Sequence, residues 1–368
     1  MKRNTVILAL AAAGLIQAGT AWADADISFA GFGTLGITHS DNRDTDFVTS
    51  LFQPNGVGRT RATNAGIDTK AGVQASAKIG NDLSTIVQVV VDRRYDNTYS
   101  PRFEWANLKY QIGQDAYVRI GRIVAPVFMV SDYRSVGYSQ TMVRMPYDIY
   151  GQNPITHIDG ADLGYKFELA GGNLSVQGTF GKIKELTPDV SEWGTQVNGH
   201  SKALSLNYEK DNSTYRVGYT KNKVSVTGEP IGQLSMLYGY GALVGHPDVS
   251  MSPNDIKTGL LDLGYMYDNG KWLVQGEFIQ ARGGGPAVVD TNSWYLMGGY
   301  RVGKFTPYLS YSELRDKELP LNQPLAVSPC TPCMLDMLAY GVNAADASLR
   351  ARQDQSTKIG RASCRERV

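Results

Sequence analysis

Apolar and polar residues alternate along most of this chain with a period of two. The first clear case, from residue 66, sets Ile67, Thr69, Ala71, Val73, Ala75, Ala77 and Ile79 against Asp68, Lys70, Gln74, Ser76 and Lys78. This period puts the two sets on opposite faces of a strand, so one face must meet an apolar medium and the other a polar one. Tilted runs of about ten residues are long enough to cross a bilayer.

Equivalent runs follow as hairpins. A first strand is predicted from Ile27 to about Thr38, with Phe29, Leu35 and Ile37 on its apolar face. Strands two and three turn at Gly80-Asn81-Asp82, four and five at Gly113-Gln114-Asp115, and six and seven at Gly171-Gly172-Asn173. Eight and nine turn at Lys210-Asp211-Asn212, ten and eleven at Asp268-Asn269-Gly270, and twelve and thirteen near Gly303. Pro307 makes the last hairpin the least regular, since proline weakens a strand. These turns are rich in Gly, Asn and Asp, the residues that tolerate tight hairpin geometry. The other connections are long, at roughly 39–65, 95–101, 123–156, 184–200, 225–256, 282–292 and 314–355. Short turns on one side and long loops on the other predict an all-β, transmembrane antiparallel β-barrel of the outer-membrane type. About thirteen complete strands are legible, with another beginning near Ser356. Single-chain bacterial barrels have an even number, so 16 strands are expected when the barrel is intact.

Composition agrees with this reading. Mean hydropathy is −0.25, and beyond the leader there is no apolar run of helix-spanning length, so a spanning structure must use strands closed on themselves. Tyr outnumbers Phe by 21 to 10 and Gly reaches 40, as suits interfacial tyrosines and glycine turns. Lys2 and Arg3, the apolar stretch Val6 to Ile16 and Ala21-Trp22-Ala23 read as a secretory signal over 1–23. Residues 358–368 lack alternation, end in Val368, and read as the in-frame translation of a sequencing adapter joined to an interrupted gene. The barrel is therefore expected over 24–357, incomplete at its C-terminal end. Setting aside the leader and that tail leaves 30 basic and 34 acidic residues, a balance that does not favour nucleic acid.

The layout resembles the Gram-negative general porins, especially those of β-proteobacteria. The likeness is strongest locally at Tyr117-Val118-Arg119-Ile120-Gly121-Arg122, which is similar to the strand that precedes the family's inward-folding third loop. The resemblance implies a homotrimer in outer-membrane lipid, a C-terminal aromatic residue that Val368 does not supply, and passive diffusion of small hydrophilic solutes and ions. It also implies a pore constriction in which acids on the loop face bases on the wall. The candidates are Asp132 and Asp148 on the loop, with Lys70, Arg94, Arg119 and Arg122 on the wall. Pleat parity turns Lys70, Arg94 and Arg119 inward, whereas Arg122 has the opposite parity and rests on family position alone. Arg134 and Arg144 make the middle of the loop basic, which allows a weak anion preference.

Other motifs carry less. Gly31-Phe32-Gly33-Thr34-Leu35-Gly36 matches a nucleotide fingerprint, but it lies inside a strand rather than before a helix. Cys330 and Cys333, in a Pro-rich loop of an exported chain, read as a local disulfide rather than a redox pair. His39, His157, His200 and His246 lack metal-ligand spacing, and no cofactor is expected. The alternatives to a general pore are a substrate-selective porin, a structural or adhesive barrel, and an outer-membrane lipase using a histidine beside a strand-tip serine.

Overall fold

The computed structural model describes residues 25–50, 53–151, 153, 155–187, 195–228, 254–283, 290–316 and 361–366. They form a 14-stranded antiparallel sheet in which each strand pairs with its neighbour in sequence. The strands are β1 (Ala25–Thr34), β2 (Lys70–Ile79), β3 (Leu83–Asp92), β4 (Arg102–Ile112), β5 (Ala116–Val124), β6 (His157–Leu169) and β7 (Gly172–Thr187). Then follow β8 (Thr195–Lys210), β9 (Ser213–Thr227), β10 (Ile256–Asp268), β11 (Trp272–Gly283), β12 (Thr291–Tyr300), β13 (Phe305–Asp316) and β14 (Arg361–Glu366). The first thirteen match the hairpins read from the alternation. At the tight turns Gly80 and Gly113 take φ of 62° and 63°, where a side chain would be strained.

The distribution of side chains is inverted relative to a water-soluble sheet. Phe180 (54% exposed), Leu204 (52%), Val217 (45%) and Leu263 point outward, while Gln88, Asp162, Arg216, Asp262 and Glu277 are buried on the inner face. Near the short turns the outer face carries an aromatic belt, with Tyr215 against Tyr265 at 5.1 Å and Trp272 against Tyr300 at 4.6 Å. Such belts suit the polar–apolar interface of a bilayer.

The strands are also tilted. On β7 the outer face turns from apolar to polar between Phe180 and Lys182, and on β12 between Trp294 and Asn292. Following the register across five strand-to-strand steps, however, Asn292 aligns with Gly178, four residues from Lys182. That slip corresponds to a tilt of about 30°, close to the range of membrane barrels.

Some details differ from the sequence-based expectation. Ile67 precedes β2 and is buried, its carbonyl accepting from Thr49 and Gln53, so it does not continue the outward row. β1 ends at Thr34, and Thr38–His39 pairs instead with Thr63–Asn64 of the first long loop. Pro307 is accommodated close to the start of β13. Arg361–Glu366, expected to lie outside the fold, pairs with Phe305–Ser310. Strand pairing uses backbone groups, so an open edge accepts a segment without apolar alternation. The leader, Cys330 and Cys333 lie outside the described residues.

Candidate functional site

The connection between β5 and β6 turns into the concave side of the sheet. It contains two 3-10 turns, Ser131–Tyr133 and Gly137–Ser139, and a single helical turn, α1 (Tyr147–Tyr150). Its Val127, Phe128, Val130, Met142 and Ile149 pack with Ile158, Ile183, Ile279, Tyr295 and Met297 of the wall. Each fully buried side chain of this kind contributes about 1.5–3 kcal/mol, enough to hold a long loop inside.

Adjacent residues of this loop reach opposite parts of the sheet. The Val143 amide donates to Tyr308 Oη of β13 at 3.0 Å. The Arg144 guanidinium donates to Asp68, just before β2, with Nε–Oδ1 at 2.9 Å. The sheet therefore curls until its first and last hairpins flank one loop. Burial opposes the Asp68 charge, but bonds from Arg144 and Thr38 outweigh it and hold this carboxyl below the ordinary range.

The opposite anchor is built from charges. Arg216 of β9 donates to Asp262 Oδ2 of β10 at 2.6 Å, to Asn207 Oδ1 at 3.1 Å and to the Pro126 carbonyl at 2.6 Å. Glu277 of β11 accepts the Met129 amide at 3.1 Å, the Tyr295 hydroxyl at 2.8 Å and the Tyr150 hydroxyl. None of these wall residues was singled out as a site in the sequence. The available signal was Arg216 and Glu277 at inward positions, each between apolar outward neighbours.

The candidate constriction residues fall into separate places. Lys70 and Arg94 line a cavity of about 330 Å³ between the loop and the β2–β4 wall. Arg93, Arg102, Arg134 and Arg144 join them there, against Asp68, Asp92 and Glu185, so bases outnumber acids by six to three. Arg102 is paired with Asp92 and Glu104, and Arg134 donates to the carbonyls of Asn153 and Tyr150. Arg119 lies elsewhere on the inner wall, paired with Asp162, which also accepts from Gln177. Asp132 is exposed on the loop, within electrostatic reach of Arg119 and Arg216.

Two candidates sit where a pore acid or base is not expected. Asp148 is buried and accepts the Ser312 hydroxyl at 2.6 Å, fastening α1 to β13. Arg122 shares the outward parity of Ile120 and bonds to Asp159 across the ladder, with Nε–Oδ1 at 2.7 Å. In that case pleat parity predicts position better than family position does. The histidines considered for a lipase have other partners: His39 meets Thr63 and Asp41, His157 lies between Glu104 and Glu185, and His200 stacks on Phe180.

The result is a curled, tilted antiparallel sheet with an apolar exterior, an ionic interior and a loop folded inside. No family model and no curated protein matches the chain. Among solved structures it is similar to Salmonella typhi OmpF in complex with daunomycin, at 14% identity over 80% of each chain with a TM-score of 0.47. It is also similar to an anion-selective porin from Comamonas acidovorans, at 12% identity over 80% of this chain and 90% of that one, with a TM-score of 0.37. A third is the trimer form of OmpT, an outer membrane protein of Vibrio cholerae, at 10% identity over 79% and 89%, with a TM-score of 0.37.

Proposed function

We propose that this protein is an outer-membrane porin, a water-filled channel through which small hydrophilic solutes and ions diffuse passively. The observation that carries this reading is the inversion of the sheet, with apolar rows exposed outside and charges inside. Such a surface is stable where hydrocarbon covers the outside and water fills the inside. The narrow space beside the loop is lined by more bases than acids, so an anion gains more from entering than a cation does. Lys70 and Arg94 are the bases assigned to this field, with Arg119 on the inner wall and Asp132 on the loop forming a second charged station. A homotrimer in the bacterial outer membrane is the assembly and location proposed with this reading.

Planar-bilayer recording tests the proposal: stepwise openings are expected, whereas a protein that inserts and never conducts would overturn it. Lys70→Gln combined with Arg94→Gln is expected to lower the anion-to-cation permeability ratio by roughly twofold or more, read from the reversal potential in a salt gradient. Arg119→Gln is expected to shift it less, because Asp162 already compensates that charge.

A further inference from the structure

The cavity between the inward loop and the wall has two unlike sides. Lys70 at the start of β2 and Arg94 just beyond β3 bring cations from the wall, while Met142, Met145 and Tyr147 bring thioether and ring surface from the loop. Tyr95 extends that surface on the wall side, with the Arg94 guanidinium 5.6 Å from the centre of its ring. The volume, about 330 Å³, falls in the range of small-molecule sites.

Most of the charges around this cavity are already committed. Asp68 and Asp92 are bound by Arg144 and Arg102, and Glu185 Oε1 lies 3.2 Å from His157 Nε2. Arg93 donates to the side-chain oxygens of Asn55 and Asn97, and Arg134 to the carbonyls of Tyr150 and Asn153. Lys70 and Arg94 are left, since among the described residues no carboxylate forms an ion pair with either. A hydrated inorganic anion engages these two bases alone. It leaves the methionine and tyrosine surface uncovered.

A solute with a carboxylate at one end and a flat apolar body at the other satisfies both sides at once. We infer that the cavity is a binding site for small aromatic carboxylates, with the carboxylate drawn to Lys70 and Arg94 and the ring lying against Met142, Met145 and Tyr147. Hydrogen bonds from guanidinium and ammonium groups to a carboxylate are charge-assisted, and the guanidinium fork also fixes its orientation. Thioethers adapt their shape to a flat ring, and a phenol ring packs on one offset or edge-on. The site rests on the channel reading and narrows its solutes from anions in general to one class of organic anion.

Planar-bilayer recording of the full chain in potassium chloride tests the site, with benzoate, acetate and benzamide added as blockers of the ion current. Acetate carries the charge without the ring, and benzamide the ring without the charge. Benzoate is expected to halve the current at a concentration at least about tenfold below either, since covering one face of a ring is worth roughly one order of magnitude in affinity. Lys70→Gln combined with Arg94→Gln should remove the preference over benzamide. Met145→Gln combined with Tyr147→Gln should remove the preference over acetate, whereas Tyr147→Phe, which keeps the ring, should retain both. Openings that benzoate blocks no better than acetate would overturn the site and leave the channel standing, a result the unaltered protein gives without any variant. An undiminished benzoate preference in the Lys70 and Arg94 variant would overturn it as well. A complete absence of openings in the unaltered protein would overturn the channel, and the site with it.

Discussion

Arg216→Ala is expected to destabilise the folded protein by about 3–5 kcal/mol, because it leaves Asp262 as an unpaired buried charge. Asp262 is 1% exposed and receives Arg216 Nε at 2.6 Å. The same guanidinium holds the Pro126 carbonyl at 2.6 Å, so the variant also frees the start of the inward loop. Urea unfolding in lipid vesicles should show the loss of stability, and single-channel traces should show larger, noisier openings. A double variant, Arg216→Leu with Asp262→Leu, is expected to recover much of the stability, since no lone charge remains. Recovery of stability without recovery of quiet openings would separate the charge balance of the wall from the Pro126 anchor.

Val217→Arg is expected to cost about 2–4 kcal/mol, the range for arginine on the lipid face of a barrel near mid-membrane. Val217 is 45% exposed. On a surface facing water such a substitution would be nearly neutral, usually within about 0.5 kcal/mol. The discriminating quantity is therefore the difference between two media at one position. Four residues along the same face stands Lys221, where the band has already given way to charge. Unfolding equilibria of the two proteins in vesicles measure the cost.

The sheet was legible because a period of two repeats in each strand and turn residues punctuate it. Leu204, Leu206 and Tyr208 gave the outward face of β8 directly, and Lys210-Asp211-Asn212 marked the turn into β9. The inward loop was legible from its length and its place after β5, but its internal contacts were not. Asp148 has the same side chain as Asp132, yet one fastens α1 to Ser312 and the other stands exposed on the loop. Nothing local distinguishes them, because the difference is set by which part of the wall the loop meets. The Arg216–Asp262 pair was hidden for a related reason. Its partners are 46 residues apart and meet only through the β9–β10 register.

The central claim is that one face of this sheet meets hydrocarbon and the other meets water. Nitroxide labels placed singly at Leu204, Val217 and Leu263, and at Lys109, Ser175 and Gln177, test it in lipid vesicles by collision with oxygen and with a water-soluble nickel chelate. The first three should collide mainly with oxygen, and the last three with the chelate. Free chelate access at Leu204, Val217 and Leu263 would contradict the claim.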